Sequence, residues 1–123
     1  MATRRLVIIE DDTNTREALQ STFIRMGWEV AMVVTLAEGS ALLRDYEPNW
    51  VLTSSDLPDG PCDPLVPGLR SVRRKTRLAI VAASKDPARL AQLTALKPDL
   101  LLHRPVEPES VYRLCDGRSA ATG

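Results

Sequence analysis

The sequence predicts an α/β domain in which five parallel strands form a doubly wound sheet with helices on both faces. Two observations predict it. Short apolar runs alternate five times with segments of helical periodicity, and the first run, Leu6 to Ile9, is apolar at every position. A strand covered by helices on both faces needs apolar side chains on both faces. Regular alternation of strands and helices is typical of a parallel sheet with crossover helices.

Length and composition limit the alternatives. The chain has 123 residues, enough for one domain with its own apolar core, and 44% hydrophobic and 26% charged residues are ordinary for a soluble protein. Sixteen basic residues balance sixteen acidic ones, so net charge favours neither nucleic acid nor membrane as a partner. Two cysteines, Cys62 and Cys115, are too few for a disulfide framework and are expected as free thiols. No apolar run suits a signal peptide or a membrane span, so we expect a cytoplasmic location.

The first half of the chain contains three strands and two helices. The first helix is predicted over residues 15–26, with Asn14 as N-cap, Glu17 completing a capping box and Gly27 ending it. A second strand follows over residues 28–34. The second helix begins at a further capping-box pair and ends before a proline. That pair is Thr35 and Glu38, the proline is Pro48, and a third strand follows at 50–53.

In the second half, prolines define where the helices begin. A turn-rich loop over residues 57–61 precedes a third helix, which we expect to begin near Pro67 and to end near residue 74. Asp86 and Pro87 are a suitable N-cap and first residue for the fourth helix. The remaining elements are a fourth strand at 78–83, a fifth at 100–102 and a short last helix from Pro108 to Cys115. The domain thus covers residues 5–116, and 117–123 form a tail or the start of a linker.

Chemically useful side chains follow the first, third and fifth strands, where open parallel sheets bind their ligands. Glu10, Asp11 and Asp12 follow the first strand, and three adjacent carboxylates suit a hard cation such as Mg²⁺. The same acids are also favoured at the start of a helix, so both interpretations stay open. Residues 54–60 follow the third strand, and His103–Arg104–Pro105 follow the fifth.

Three features each follow a different strand: an acidic cluster, a Leu-Pro-Asp-Gly turn and a cation followed by proline. Together they resemble the receiver domain of two-component response regulators, the CheY-like domains. The resemblance covers about residues 5–116. It implies a flavodoxin-like sheet with strand order 2-1-3-4-5 and a role in bacterial signal transduction.

In that family an aspartate at the end of the third strand accepts a phosphoryl group from a histidine kinase. The matching position, four residues before Pro58, is Ser54. The acidic pair that holds the metal in the family matches Glu10 and Asp11. Besides Ser54, three further positions that make or read the phosphoryl signal in the family carry different residue types in this chain. The hydroxyl position falls on Ala83, the aromatic switch position on Leu101 and the lysine on Arg104.

These substitutions change the chemistry that we expect. A carboxylate can accept a phosphoryl group and hold the metal, whereas the Ser54 hydroxyl needs a base and is a weaker ligand. Loss of one of three carboxylates leaves Glu10 and Asp11 as a weak Mg²⁺ site at most, and no other cofactor is expected. The planar guanidinium of Arg104 can pair bidentately with a carboxylate. We expect it to pair with Glu10 or Asp11 in place of metal and lysine.

The resulting hypothesis is a receiver-type protein-interaction module that is not an enzyme and is not phosphorylated on aspartate. Its expected partners are proteins, either a histidine-kinase-like protein or an output domain, without direct nucleic-acid or membrane contact; a homodimer is compatible with the resemblance. The alternative is a functional, Mg²⁺-dependent phosphoacceptor that uses Asp56 or Ser54. A nucleotide or flavin site on the same topology is disfavoured, since no glycine-rich loop follows the first strand.

Overall fold

The computed structural model describes residues 3–72 and 75–121, with side chains to residue 117 in the last helix. Within these residues the strands are β1 Arg5–Ile9, β2 Glu29–Val33, β3 Trp50–Ser54, β4 Asp56–Leu57, β5 Gly60–Pro61, β6 Arg77–Ala82 and β7 Leu100–His103. The helices are α1 Thr13–Arg25, α2 Leu36–Asp45, α3 Leu65–Val72, α4 Pro87–Ala95 and α5 Pro108–Ala121.

The main sheet has the predicted topology. Over the described residues its order is β2-β1-β3-β6-β7, with every neighbouring pair parallel. Numbered by the five predicted strands, this is the order 2-1-3-4-5. Leu6 lies opposite Trp50 across β1 and β3, and Ser54 lies opposite Val81 across β3 and β6. All five strands therefore end at one edge of the sheet, which brings the residues that follow them together.

The sheet separates two apolar cores. Val7 and Ile9 of β1 pack in a core with buried residues of α2, α3 and α4. Leu6 and Ile8, on the opposite face of the same strand, pack in a core with α1 and α5. Alternate residues of a strand point to opposite faces, so helices on both sides require the continuous apolar runs that the sequence contains. The doubly wound prediction is confirmed.

Helix caps agree with the sequence at three of the predicted positions and differ at one. The Thr35–Glu38 capping box is formed, Asp86 caps α4, and Gly27 follows α1 with a φ of 92°. Asn14 is not the N-cap of α1. That role belongs to Asp12, whose side chain accepts the N–H of Thr15, so the helix begins two residues earlier than predicted.

Helix α3 begins at Leu65, not near Pro67. The N–H of Leu65 donates to the carbonyl of Cys62, which forms a turn that leads directly into the helix. Pro67 consequently lies in the first turn of α3, where its missing N–H costs no helical hydrogen bond. The predicted extension through Arg73 and Arg74 lies outside the described residues.

The last helix is longer than predicted. α5 continues past Cys115 and Gly117 to Ala121, and so includes most of the segment that the sequence places in a tail. Cys115 is fully buried, and Asp116 forms an ion pair with Arg4 beside β1, so packing and charge hold the helix where the sequence pattern weakens. The last two residues of the predicted tail lie outside the described residues.

Both cysteines are buried, and Cys62 is a free thiol, as predicted. Burial raises the pKa of Cys62 to about 11, so its thiol is protonated at neutral pH and is a poor nucleophile. In the described part of the chain, no helix has the length and apolarity that crossing a membrane requires.

Candidate functional site

Three strand ends bring Glu10, Ser54 and Arg104 together, and we call these residues the strand-end pocket. Glu10 follows β1 directly, Ser54 is the last residue of β3, and Arg104 follows β7. The Nη2 atom of Arg104 lies 2.7 Å from Glu10 Oε1 and 3.4 Å from Ser54 Oγ. The guanidinium therefore contacts both of the other members of the pocket.

Glu10 is the buried charge of this pocket. Its side chain has no solvent exposure. Besides the ion pair with Arg104, its carboxylate accepts the backbone N–H of Asp12 at 3.1 Å. A buried carboxylate is stable only when a countercharge and hydrogen bonds replace the water it has lost. The predicted pairing of Arg104 with one of the two acids is confirmed, with Glu10 as its partner.

The Ser54 hydroxyl is engaged locally. The residue is buried, and its Oγ donates to the backbone carbonyl of Asp56 at 3.0 Å. Its other described neighbours are the guanidinium of Arg104 and the N–H of Asp56, each at 3.4 Å. Neither a carbonyl nor a guanidinium can remove the hydroxyl proton. Among the described contacts, nothing activates this serine as a nucleophile.

The neighbouring strand end carries no hydroxyl. β6 ends at Ala82, one residue earlier than predicted, and Ala83 follows it. The N–H of Ala83 donates to the hydroxyl of Ser55 at 2.9 Å, so the side chain after Ser54 bridges the two strand ends. Leu101 lies on β7 opposite Ile80 and packs against the core on the α2–α4 side of the sheet.

The two remaining acids of the cluster are placed differently from Glu10. Asp11 is exposed. Asp12 is also exposed and serves as the cap of α1, where hydrogen bonds from the hydroxyl and the N–H of Thr15 lower its pKa. The acidic run therefore divides into one buried countercharge, one surface residue and one helix cap.

A divalent cation, which the resemblance implies, does not fit this arrangement. Within residues 3–72 and 75–121, no three His, Cys, Asp or Glu side chains come close enough to hold a metal ion. The Glu10 oxygens already accept from Arg104 and from the N–H of Asp12, and the guanidinium also contacts Ser54. The predicted ligands, Glu10 and Asp11, are a buried ion-pair partner and an exposed side chain.

A second cluster, centred on Arg89, holds the loop after Ser54 and was not predicted. The mostly buried Arg89 of α4 donates to both carboxylate oxygens of Asp63, at 2.9 and 3.1 Å, and to the Ser55 carbonyl at 3.0 Å. The hydrogen bonds from Arg89 to its carboxylate lower the pKa of Asp63. One signal was present in the sequence: an arginine in the first turn of a helix is unfavourable there without an acidic partner.

The opposite side of this loop is attached to α2. The loop contains a hairpin whose strands, β4 and β5, have two residues each and pair antiparallel. The sequence indicated this segment only as a turn-rich loop. At its turn, the Asp59 carboxylate accepts the N–H groups of Leu36 and Ala37 at 2.8 and 3.0 Å. Both hydrogen bonds lower the pKa of Asp59. The loop after the pocket is thus fixed to α2 by Asp59 and to α4 by Arg89.

Comparison with solved structures identifies this fold. A receiver domain protein of Methanospirillum hungatei superposes with a TM-score of 0.84 and 21% identity, covering 98% of this chain and 99% of its own. The receiver domain of the Francisella response regulator 1452 gives a TM-score of 0.86 at 14% identity, with 98% and 100% covered. The chain has the receiver-domain fold.

A third solved structure with a similar fold was determined in a phosphorylated form. A response regulator of Burkholderia pseudomallei, solved with a phosphorylated aspartic acid, a calcium ion and citrate, has a TM-score of 0.81 and 16% identity. It covers 98% of this chain and 73% of its own length. No protein-family model and no curated protein sequence matches the chain. Since the identities are low, these likenesses concern the fold.

Proposed function

We propose that the chain is a receiver-type signal-transduction domain of a two-component response regulator, and that it is not phosphorylated on aspartate. The observation that carries the proposal is the strand-end pocket. At the end of β3 stands the buried hydroxyl of Ser54, and the guanidinium that contacts it is paired with Glu10. The pocket has the position of a receiver active site but lacks the carboxylate that the reaction needs.

The chemistry of phosphoryl transfer supports this proposal. An acyl phosphate forms only on a carboxylate, and the transfer is normally assisted by a metal ion that neutralises the moving group. The Burkholderia structure contains both a phosphorylated aspartic acid and a cation. In this chain Ser54 has no activating base among its described contacts, and Glu10 is committed to Arg104. The domain therefore acts by binding other proteins and not as an enzyme.

The partners that fit this role are a histidine-kinase-like protein or an output domain. This chain has formal net charge zero, which favours neither nucleic acid nor an anionic membrane surface as a partner. A cytoplasmic location agrees with the free thiol at Cys62. Recognition by protein surfaces needs no phosphoryl chemistry in the pocket.

Phosphodonor labelling tests the proposal. The protein is incubated with acetyl phosphate and Mg²⁺, and its intact mass is measured. We expect no phosphate increment. An increment that disappears in Ser54→Ala or in Asp56→Asn would instead establish the alternative, a Mg²⁺-dependent phosphoacceptor. Asp56 is the carboxylate to examine because it is half exposed, accepts from the Ser55 hydroxyl and lies 3.6 Å from Arg89.

A further inference from the structure

The strand-end pocket contains its own cation. We propose that Arg104 is a built-in replacement for a bound divalent metal, so that the pocket keeps its charge balance and its structure without Mg²⁺. The inference rests on the proposed function, since a pocket without phosphoryl chemistry has no need for an exchangeable metal. It concerns how the pocket is held together, and it is tested by stability and metal binding instead of by labelling.

The contacts of Arg104 support this role. Its Nη2 pairs with the fully buried Glu10 and contacts Ser54, while its Nη1 lies 3.5 Å from the hydroxyl of Thr15. The side chain thereby joins the end of β1, the end of β3 and the first turn of α1 to the segment after β7. A metal ion bound to the same oxygens would make the same kind of connection. One buried negative charge is balanced by one positive charge of the chain.

A divalent cation is excluded from the pocket because the Arg104 guanidinium repels it and because the Glu10 and Ser54 oxygens already form hydrogen bonds. To bind Glu10, the ion would have to replace the guanidinium at 2.7 Å or lie next to it, and two cations a few ångströms apart repel each other. The Ser54 hydroxyl donates a hydrogen bond to the Asp56 carbonyl, and the Arg104 guanidinium lies 3.4 Å from the hydroxyl oxygen. Both oxygen donors that a metal would use are therefore already engaged.

Solvent can reach the pocket if the arginine is shortened. Arg104 is one-third exposed and lines an open cleft of about 730 Å³. The cleft is also lined by Asn14, Thr15 and Lys85. Removal of the guanidinium would leave the Glu10 carboxylate without its countercharge next to a path for a hydrated ion. The structure thus predicts that the Arg104→Ala variant gains the metal dependence that the natural chain lacks.

Thermal unfolding with and without about 10 mM Mg²⁺, at constant ionic strength, measures this dependence. We expect Mg²⁺ to change the melting temperature of the natural chain by less than about 1 °C. The Arg104→Ala variant should melt lower, and Mg²⁺ should restore about 3–6 °C. Lys85→Ala is the matched control, because Lys85 lines the same cleft, whereas Arg104 pairs with the Glu10 carboxylate. It should respond to Mg²⁺ as the natural chain does.

A double variant assigns the metal response to Glu10. Glu10→Gln combined with Arg104→Ala removes both charges, and its melting temperature should be insensitive to Mg²⁺. An equal Mg²⁺ effect in the natural chain and in Arg104→Ala would overturn the inference. So would an Arg104→Ala variant that folds but does not respond to Mg²⁺, or a double variant that responds as the single one does.

A second measurement covers the case in which Arg104→Ala does not fold. Paramagnetic Mn²⁺ is added to the natural protein, and the amide NMR signals of Glu10 and Ser54 are followed. We expect no selective broadening of these signals, and selective broadening would overturn the inference. The two proposals fail separately. A natural chain that binds Mn²⁺ in the pocket but gains no phosphate mass refutes only the role of Arg104, whereas phosphate labelling refutes the proposed function.

Discussion

At the scale of single residues, Ser54 determines what the pocket can do. A serine differs from an aspartate here in charge, in metal affinity and in the product it could form, because only a carboxylate gives an acyl phosphate. The structure adds that the hydroxyl donates to the Asp56 carbonyl and that the Arg104 guanidinium also contacts it. Under the proposed function, replacement of Ser54 by aspartate alone should therefore not restore phosphoryl transfer.

The Ser54→Asp variant tests this conclusion. We expect little labelling by acetyl phosphate and Mg²⁺, because Arg104 still holds Glu10 and the end of β6 still lacks a hydroxyl. The variant that combines Ser54→Asp with Arg104→Lys removes the guanidinium that contacts both Glu10 and residue 54, and should be labelled about 10²-fold faster. Intact mass over time gives both rates. Rapid labelling of Ser54→Asp alone would show that Arg104 does not block the site.

At the scale of elements, replacement of two helical glycines by alanine should have opposite effects on stability. A Cβ added at Gly68 in the middle of α3 meets nothing within 4 Å, so Gly68→Ala should stabilise the fold by about 0.5–1 kcal/mol through helix propensity. A Cβ at Gly39 in α2 would lie 2.5 Å from Ile9 Cδ1, and Ile9 is fully buried. Gly39→Ala should therefore destabilise, as measured by urea unfolding. Equal effects at both positions would contradict the described packing of α2 on β1.

The attachment of the loop after Ser54 to α4 is also an element-scale feature. Arg89→Ala removes two hydrogen bonds to Asp63 and one to the Ser55 carbonyl, and should cost about 1–3 kcal/mol. Arg25→Ala is the matched control, because Arg25 makes one ion pair at 3.3 Å with both partners well exposed. Its cost should stay below about 1 kcal/mol. Urea unfolding of both variants measures the difference. Equal losses of unfolding free energy would mean that the Arg89 cluster does not stabilise the attachment of the loop to α4.

The same cluster shows what the sequence could not predict at this scale. The Thr35 capping box and the Asp86 cap were predictable because partner residues lie within four positions of each other. Asp63 and Arg89 lie on different elements, and only the folded sheet brings them together. The start of α1 was misassigned for a different reason. Asp12 and Asn14 are both good caps, and local sequence does not decide which one adopts the extended conformation.

At the scale of the whole molecule, the fold was predictable because the apolar pattern that indicates it extends along the whole chain. Each strand of the main sheet contains a continuous apolar run, and each crossover segment has an apolar stripe, so errors at single positions do not change the predicted fold class. Helix ends such as that of α5 depend on packing and on partners such as Arg4 that a local pattern does not show. Within the site, the pairing of Arg104 with an acid was predictable from charge and strand order, whereas the preference for Glu10 required the observed burial.

Acid should destabilise the molecule as a whole. Four carboxyl groups have pKa values that hydrogen bonds in the folded state lower below their usual values: Asp12, Glu38, Asp59 and Asp63. The stability that these groups contribute is fully present above their unfolded pKa values, about 4, and is lost as the pH falls through the folded values. The free energy of unfolding, measured by urea at a series of pH values, should therefore decrease steadily below about pH 4.5. A constant value down to pH 3 would contradict the described hydrogen bonds.

A variant identifies one source of this acid sensitivity. In Asp59→Asn the side chain no longer titrates, and its single amide oxygen can replace only one of the two carboxylate oxygens that accept from the N–H groups of Leu36 and Ala37. The decrease in unfolding free energy below pH 4.5 should be shallower than in the natural chain. An unchanged slope would exclude Asp59 as a contributor.

The central claim is that the strand-end pocket has the receiver geometry without a phosphoryl acceptor. The most direct measurement is fluorine NMR of the protein with beryllofluoride and Mg²⁺, since beryllofluoride forms a phosphoryl-like adduct with an acceptor carboxylate. The account predicts only the signals of free fluoride species, together with an unchanged amide spectrum around Glu10 and Ser54. A protein-bound fluorine signal accompanied by shifts of those two amides would contradict it.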